Sequence, residues 1–308
     1  MLSGFKVGSG LRFEYLWEPD DPLLTSDFYP GYDQSFVIDS EKEELKGFTD
    51  CLALNMGDTY RQLSTRHGPY REYVLVAYDK QGAVVGGANF LCLLLQDVMV
   101  NGQTAITVNL NYLFVLPAHR GKGYLRPILK ACSHLAFETL RHTNGNQETI
   151  SEPIVFFEQN DPVRMSLKDY EDDSRQSGLD QIQRIAIWAK IGARIIDIPY
   201  VQPALSANQE DDHNLLYCVI CGDTASSLDP CLLKAHLERF FHISVFKNAT
   251  ENSANPTANK QLAMLEKRCQ QGDAIRLANG GTWASRSLHL GKEVVGIADS
   301  LRKFIFGD

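Results

Sequence analysis

Hydrophobic and polar positions repeat every two residues in some stretches and every three to four in others. Residues 11–17 alternate, with Phe13, Tyr15 and Trp17 set against Arg12, Glu14 and Leu16, and predict a first strand. Residues 18–33, rich in Pro, Asp and Tyr, read as loop. Ser40 to Glu43 has capping-box spacing, and Leu45, Phe48 and Leu52 follow at helical intervals. Residues 72–78 and 83–95 flank the turn Asp79-Lys80-Gln81-Gly82, which predicts a β-hairpin. A second turn, Asn101-Gly102, leads into a long strand over 104–116. Beyond a Gly-rich turn at 119–123, Leu125, Ile128, Leu129, Cys132, Leu135, Ala136 and Leu140 form one helical stripe. Pro127 is compatible with that helix because it falls in the first turn. A strand (153–157), a polar segment (161–180), a helix (181–191), two strands (194–200 and 215–221) and a helix opened by Asp229-Pro230 follow. The pattern is mixed α/β and reads as one domain over 1–246, a polar linker over 247–260, and a helical C-terminal extension over 261–308.

Composition narrows the function classes. Hydrophobic content of 44% and charged content of 22% exclude wholesale disorder. Thirty basic against 38 acidic residues, net −8, argue against nucleic acid as the main partner and suit a cationic one better. The apolar run 83–95 contains Gly86, Gly87 and Asn89 and stops at Gln96-Asp97, short of the ~18 residues a membrane span needs. With no secretory pattern at the N-terminus, the seven cysteines are expected to be reduced thiols in a cytoplasmic protein. Cys218 and Cys221 have CxxC spacing inside an apolar strand with no second pair, so no metal site is expected. His236 and His242 have no partner at ligand spacing either, and are expected to be structural or exposed.

The stretch that carries chemistry is Leu113-Phe114-Val115-Leu116-Pro117-Ala118-His119-Arg120-Gly121-Lys122-Gly123-Tyr124, running into the helix at Leu125. A strand, a tight Gly turn and a helix start place main-chain N–H groups and a positive dipole end where a diphosphate can sit. Arg120, Lys122 and Arg126 add mobile positive charge, and His119 is expected to point to solvent. A P-loop needs Ser or Thr after Gly-Lys, and Gly123 stands there. A dinucleotide fingerprint at Gly8-Ser9-Gly10 fails at Phe13.

Arg120-Gly121-Lys122-Gly123-Tyr124-Leu125 resembles the pyrophosphate loop, R/Q-x-x-G-x-G/A, of the GNAT superfamily of acyl-CoA-dependent N-acetyltransferases. The preceding hairpin, the later strand and the helix end Ile187-Trp188-Ala189-Lys190-Ile191-Gly192-Ala193 fall in family order, so the resemblance covers residues 11–221. It implies an open mixed sheet of about seven strands flanked by helices, splayed between the fourth and fifth. It also implies acyl-CoA, acetyl-CoA in the simplest case, as cosubstrate without a metal. The pyrophosphate would lie on Arg120, Gly121, Lys122, Gly123, Tyr124 and Leu125, and the pantetheine on the backbone of Leu113, Phe114 and Val115. Leu125 departs from the Gly or Ala usual at the last loop position.

The family often sets a Glu base on the strand before the loop and a Tyr acid on the later helix. Here Asn109 and Asn111 stand at the first place and Trp188 at the second. Asn accepts no proton but can hold a water that does. Glu158, at a strand end, is the substitute carboxylate, and Tyr200 or Tyr112 the substitute phenol. The resulting expectation is direct acyl transfer to an amine in a ternary complex, the oxyanion being met by an N–H near Phe114 or Val115. Loss of both usual residues also fits a catalytically degenerate acyl-CoA sensor or interaction module. The 161–180 segment is expected as a lid over the acceptor. The acceptor, a cationic amine by charge, and the oligomeric state are left open.

Overall fold

The computed structural model describes residues 3–7, 10–36, 38, 42–143, 149–204, 209–222, 224–248 and 255–307. Ser40, at the head of the expected capping box, lies outside them. The chain divides into two compact units, the first made of Met1–Phe36, Lys42–Val155 and His242–Asn248, the second of Val37–Glu41, Phe156–Phe241 and Ala249–Asp308.

In the first unit, β1 (Ser3–Val7), β2 (Leu11–Leu16), β3 (Tyr70–Tyr78), β4 (Val84–Val100) and β5 (Gln103–Val115) lie in chain order, each antiparallel to the next. A parallel bridge between Thr104 and Ile150 makes the pairing mixed. One sheet face carries Val74, Val76, Tyr78 and Phe114, packed with Phe28, Tyr32, Phe48 and Leu52 from α1 (Tyr29–Ser35), α2 (Leu45–Ala53) and the π-helical turn Leu24–Phe28. Residues 18–33, expected as loop, thus supply much of this core. Their aromatic residues are held by mutual ring contacts (Phe28–Phe48 at 5.4 Å, Tyr32–Tyr112 at 4.8 Å), which have no short-range periodicity. Helix α3 (Gly57–His67) was not expected, since only Leu63 and His67 on it are buried. In α4 (Leu125–Thr143) every residue of the predicted stripe from Ile128 to Leu140 is buried.

Gly86 fixes how closely β4 and β5 approach. A Cβ there would lie 2.4 Å from the Phe114 carbonyl oxygen and 3.2 Å from Val115 Cα, both main-chain atoms that have no rotamer to move into. Gly86→Ala is expected to destabilise the protein by about 1–3 kcal/mol, measured by denaturant unfolding. An unchanged midpoint would mean the strands separate there at no cost.

In the second unit the strand order is β6-β8-β7-β10-β9, formed by β6 (Ile154–Asn160, its first two residues counted in the first unit), β7 (Arg194–Ile196), β8 (Leu215–Ile220), β9 (Ser227–Leu228) and β10 (Ile275–Ala278). Its helices are α5 (Leu167–Ser177), α6 (Gln181–Lys190), α7 (Pro230–Phe240), α8 (Pro256–Gln271), α9 (Gly281–Ser287) and α10 (Leu301–Phe306). The expected α/β class, a mixed sheet with flanking helices, holds, with ten strands among the described residues in place of about seven. The C-terminal extension is not purely helical: β10 pairs with both β7 and β9. Residues 249–254 of the expected linker lie outside the described residues, and its last five open α8.

The polar 161–180 segment is ordered by its own hydrogen bonds. Ser166 caps α5, Tyr170 Oη donates to Asp180 at 2.7 Å, and buried Asp173 accepts from Gln181 and, at 2.6 Å, from Arg184. Asp161 accepts the Leu301 N–H at 2.9 Å and so caps α10. Cys231 of α7 and Cys269 of α8 form a disulfide, which corrects the expectation of seven thiols; Cys51, Cys92, Cys132, Cys218 and Cys221 are free. Thirty-eight residues separate the pair, a distance at which sequence spacing says nothing about contact between helices.

Candidate active site

The end of β5 presents main chain away from β4. The Leu116 N–H donates to the Val85 carbonyl at 3.0 Å, so in the antiparallel alternation Phe114 is a hydrogen-bonded partner of Gly87. Leu113 and Val115 then turn their N–H and C=O groups to the other edge of β5. The Phe114 side chain is core, 4% exposed, with its ring against Gly31 and Gly87. Of the two expected oxyanion donors, the Val115 N–H points away from β4 and the Phe114 N–H faces it.

The turn after β5 is open. Pro117–His119 form a single 3-10 turn, and Arg120 donates from Nε to the Val115 carbonyl at 2.9 Å. Arg120 therefore staples the turn to the strand and is not the mobile cation expected of it. Gly121 and Gly123 are left-handed, φ +74° and +78°, and no atom lies within 4 Å of a Cβ built on either. Lys122 between them is exposed, Leu125 is half-buried, and α4 starts with N–H groups that have no partner inside the helix. His119 is half-buried, against expectation, and its ring stacks on Tyr124 at 6.4 Å. The result is a positively polarised main-chain surface with open space at both glycines, which fits a diphosphate.

Four residues before its end at Val115, β5 carries a bulge. Asn89 faces Tyr112 and Phe90 faces Leu110, leaving Asn111 as the extra residue. Asn109 and Asn111 share a face as expected, and the bulge adds Tyr112 to it. A residue that sequence reasoning missed organises this face. Glu72 of β3, 1% exposed, accepts from Asn89 Nδ2 at 2.7 Å, from Asn111 Nδ2 at 2.9 Å and from the Ser244 hydroxyl at 3.1 Å. Asn111 Nδ2 also reaches Asn89 Oδ1 at 3.0 Å, and Asn109 Nδ2 donates to Asn111 Oδ1 at 2.8 Å. Asn55 accepts the Glu72 N–H at 2.9 Å and locks its backbone.

Burial pushes the Glu72 carboxyl up to about 7, and the hydrogen bonds from Asn89, Ser244 and Asn111, with the Lys247 charge, oppose that rise only in part. A carboxylate that aligns a chain of amides makes each amide carbonyl a better acceptor than it is alone. Asn111, half-buried, is the outermost of the residues that touch Glu72.

Glu158 and Tyr200 come together in the second unit. The Tyr200 hydroxyl donates to Glu158 Oε1 and is 2.6 Å from Gln202 Oε1. Desolvation raises the Glu158 carboxyl to about 7, and the Tyr200 bond lowers it less. The Tyr200 ring stacks on Tyr217 at 4.5 Å, and the Tyr217 hydroxyl is 3.0 Å from Nε2 of fully buried His236. Trp188, at the family's Tyr place, stacks on Phe157 at 4.1 Å. Among the described residues no group of His, Cys, Asp and Glu is arranged to hold a metal.

No family model and no curated protein matches the chain. Among solved structures it is similar to an aminoglycoside acetyltransferase from an uncultured soil metagenomic sample, in complex with sisomicin, at 16% identity over 56% of this chain and 90% of that one, TM-score 0.29. A protein from Desulfovibrio desulfuricans assigned as an acetyltransferase of the GNAT family gives 16% identity over 68% of this chain and 97% of that one, TM-score 0.30. Spermidine N-acetyltransferase from Vibrio cholerae, in complex with CoA and spermine, gives 11% identity over 69% of this chain and 97% of that one, TM-score 0.31.

Proposed function

We propose that the protein is an acyl-CoA-dependent acyltransferase that moves an acetyl or other short acyl group to an amine by direct transfer. The observation that carries this reading is an open Gly121–Gly123 turn just beyond β5 together with a carboxylate-anchored amide cluster on β5 itself, Asn111 being ten residues before Gly121. Bound acyl-CoA would supply an activated thioester. The turn and the start of α4 would hold its diphosphate, and the outward main chain of Leu113 and Val115 its pantetheine arm. Val115 N–H is the donor aimed where an oxyanion would form.

Asn111 Oδ1, fixed by Glu72, accepts from the amine or from the water that takes its proton, and Glu72 supplies the negative charge that strengthens this acceptor. The amine nitrogen bonds to the acyl carbon, the C–S bond breaks, and the amine proton leaves through that water. In this reading the carboxylate missing from β5 is supplied from β3, which weighs against a catalytically degenerate sensor. Glu158 and Tyr200 remain candidates for proton handling, in keeping with their shared hydrogen bond. The acidic net charge favours a cationic acceptor, a cytoplasmic setting is retained as part of the proposal, and no nucleic acid or membrane enters it.

Titration calorimetry with acetyl-CoA, followed by thiol release against a panel of amines, tests the reading. Micromolar binding and thiol release dependent on one amine are expected. Binding with no turnover on any amine would leave the sensor reading standing, and absence of binding would remove both.

A further inference from the structure

We propose that Cys231 and Cys269 form a thiol–disulfide exchange site, open to low-molecular-weight monothiols, which clamps α8 and through it the segment that carries Tyr200. This inference does not depend on acyl transfer. Both cysteines are half-buried, so neither residue is enclosed in the core. Cys231 is the second residue of α7, behind the Asp229 cap, and Cys269 lies in the last turn of α8. The positive end of the α7 dipole favours a thiolate on Cys231 over one at the C-terminal end of α8, so Cys231 is the better leaving group of the two. A monothiolate of the glutathione type therefore attacks Cys269 Sγ. The Cys231–Cys269 bond breaks, a mixed disulfide forms on Cys269, and the electron pair leaves with Cys231 Sγ. A second monothiol displaces Cys269 and departs as the small disulfide, leaving two protein thiols. Two electrons pass from two small thiols to the protein, and the small disulfide reverses the process.

What the clamp holds is legible in the contacts of α8. Beside the disulfide, Lys234 of α7 pairs with Glu266 of α8 at 2.5 Å, and Leu265 is fully buried, so reduction loosens this helix pair without detaching it. At the other end of α8, Gln261 meets the main chain of Val201 twice: its Oε1 accepts the Val201 N–H at 3.0 Å and its Nε2 donates to the Val201 carbonyl at 2.8 Å. Thr257 donates to Asp211 at 2.5 Å, and Asp211 accepts the Ala204 N–H at 3.0 Å. Val201 adjoins Tyr200, whose hydroxyl bonds to Glu158, and Gln202, which pairs with Asp212 at 2.9 Å. α8 thus holds one wall of the Tyr200–Glu158 pair, and the disulfide holds α8.

The full-length protein is equilibrated in glutathione buffers of graded redox ratio, and Cys231 and Cys269 are read by alkylation and mass spectrometry. Both are expected to be oxidised in the air-equilibrated protein and to become alkylatable under reduced glutathione with circular dichroism unchanged. Amide exchange over residues 199–204 and 256–262 should then rise about tenfold or more, with β3 to β5 unaffected. The C231S/C269S variant should reproduce that pattern under oxidising conditions, and if it does not fold the glutathione titration remains the deciding measurement. Alkylation of the pair only in denaturant, or identical exchange in the two redox states, would overturn the proposal.

Discussion

Gly123→Glu is expected to raise the dissociation constant for acetyl-CoA by at least about 100-fold, equivalent to about 2.7 kcal/mol, while the protein stays folded. At Gly123 the backbone is left-handed, φ +78°, and a Cβ meets no neighbour within 4 Å, so the first atom of a new side chain has room. The conformational cost to an L-residue is about 1–2 kcal/mol and falls on an exposed turn. The carboxylate, in contrast, would stand within roughly 5 Å of a bound diphosphate, where like charges at an effective dielectric near 20 repel by about 3 kcal/mol. Gly123→Ala separates the two effects. It carries the strain without the charge and should weaken binding by about tenfold or less. Calorimetry with acetyl-CoA reads both variants, with circular dichroism to confirm folding. If the Glu variant binds as the native protein does, the diphosphate is held elsewhere and the site on β5 is misassigned.

The reason this turn was legible in the sequence is that all its determinants are local. The strand 104–116, the Pro117 stop, two glycines two residues apart and the stripe on α4 are consecutive, and each reports on its own neighbourhood. Glu72 was not legible, because nothing beside Arg71 and Tyr73 distinguishes it from a strand-end charge. Its role depends on register: Glu72 faces Leu91, Leu91 faces Asn109, and a bulge brings Asn111 into reach. A retrospective signal existed in the lone polar residues Asn89, Asn109 and Asn111 inside otherwise apolar strands, since buried amides require partners. The Cys231–Cys269 pair and β10 were hidden for the same reason: both depend on contacts between segments far apart in the chain. Glu158 and Tyr200 stood 42 residues apart as separate candidates, and the hydrogen bond between them could only be read in three dimensions.

Glu72→Gln is expected to change both the stability and the rate in a way that only pH dependence reveals. The Glu72 carboxyl is raised from 4.5 to about 7 by burial, so the folded protein holds this proton more tightly than the unfolded chain does. Its contribution to stability is fully present below pH 4.5 and is lost as pH rises through 7, an effect of roughly 3 kcal/mol. Glu158, also raised to about 7, and Asp161, raised to about 6, are likewise held protonated by burial and add losses of the same sign as pH rises through their values. Denaturant unfolding at pH 5 and pH 8 should therefore show the native protein weaker at pH 8, and the Gln variant should lose the share of that difference that Glu72 contributes while keeping the share from Glu158 and Asp161. On ionisation three donors already point at the carboxylate. On protonation the Ser244 hydroxyl is the partner able to change from donor to acceptor. Kinetically, ionised Glu72 is the form that strengthens Asn111 Oδ1, so kcat/KM of the native protein should gain a rising limb centred near pH 7, beyond any slope from the amine itself. The Gln variant should lack that limb. It should fall about 10- to 100-fold below the native enzyme at pH 8 and approach it at pH 5 to 6. A uniform loss across the pH range would make Glu72 a packing residue, and an unshifted limb would move the titrating group elsewhere. A residue that only filled space would alter the unfolding midpoint equally at both pH values, so the two measurements together separate charge from shape at this position.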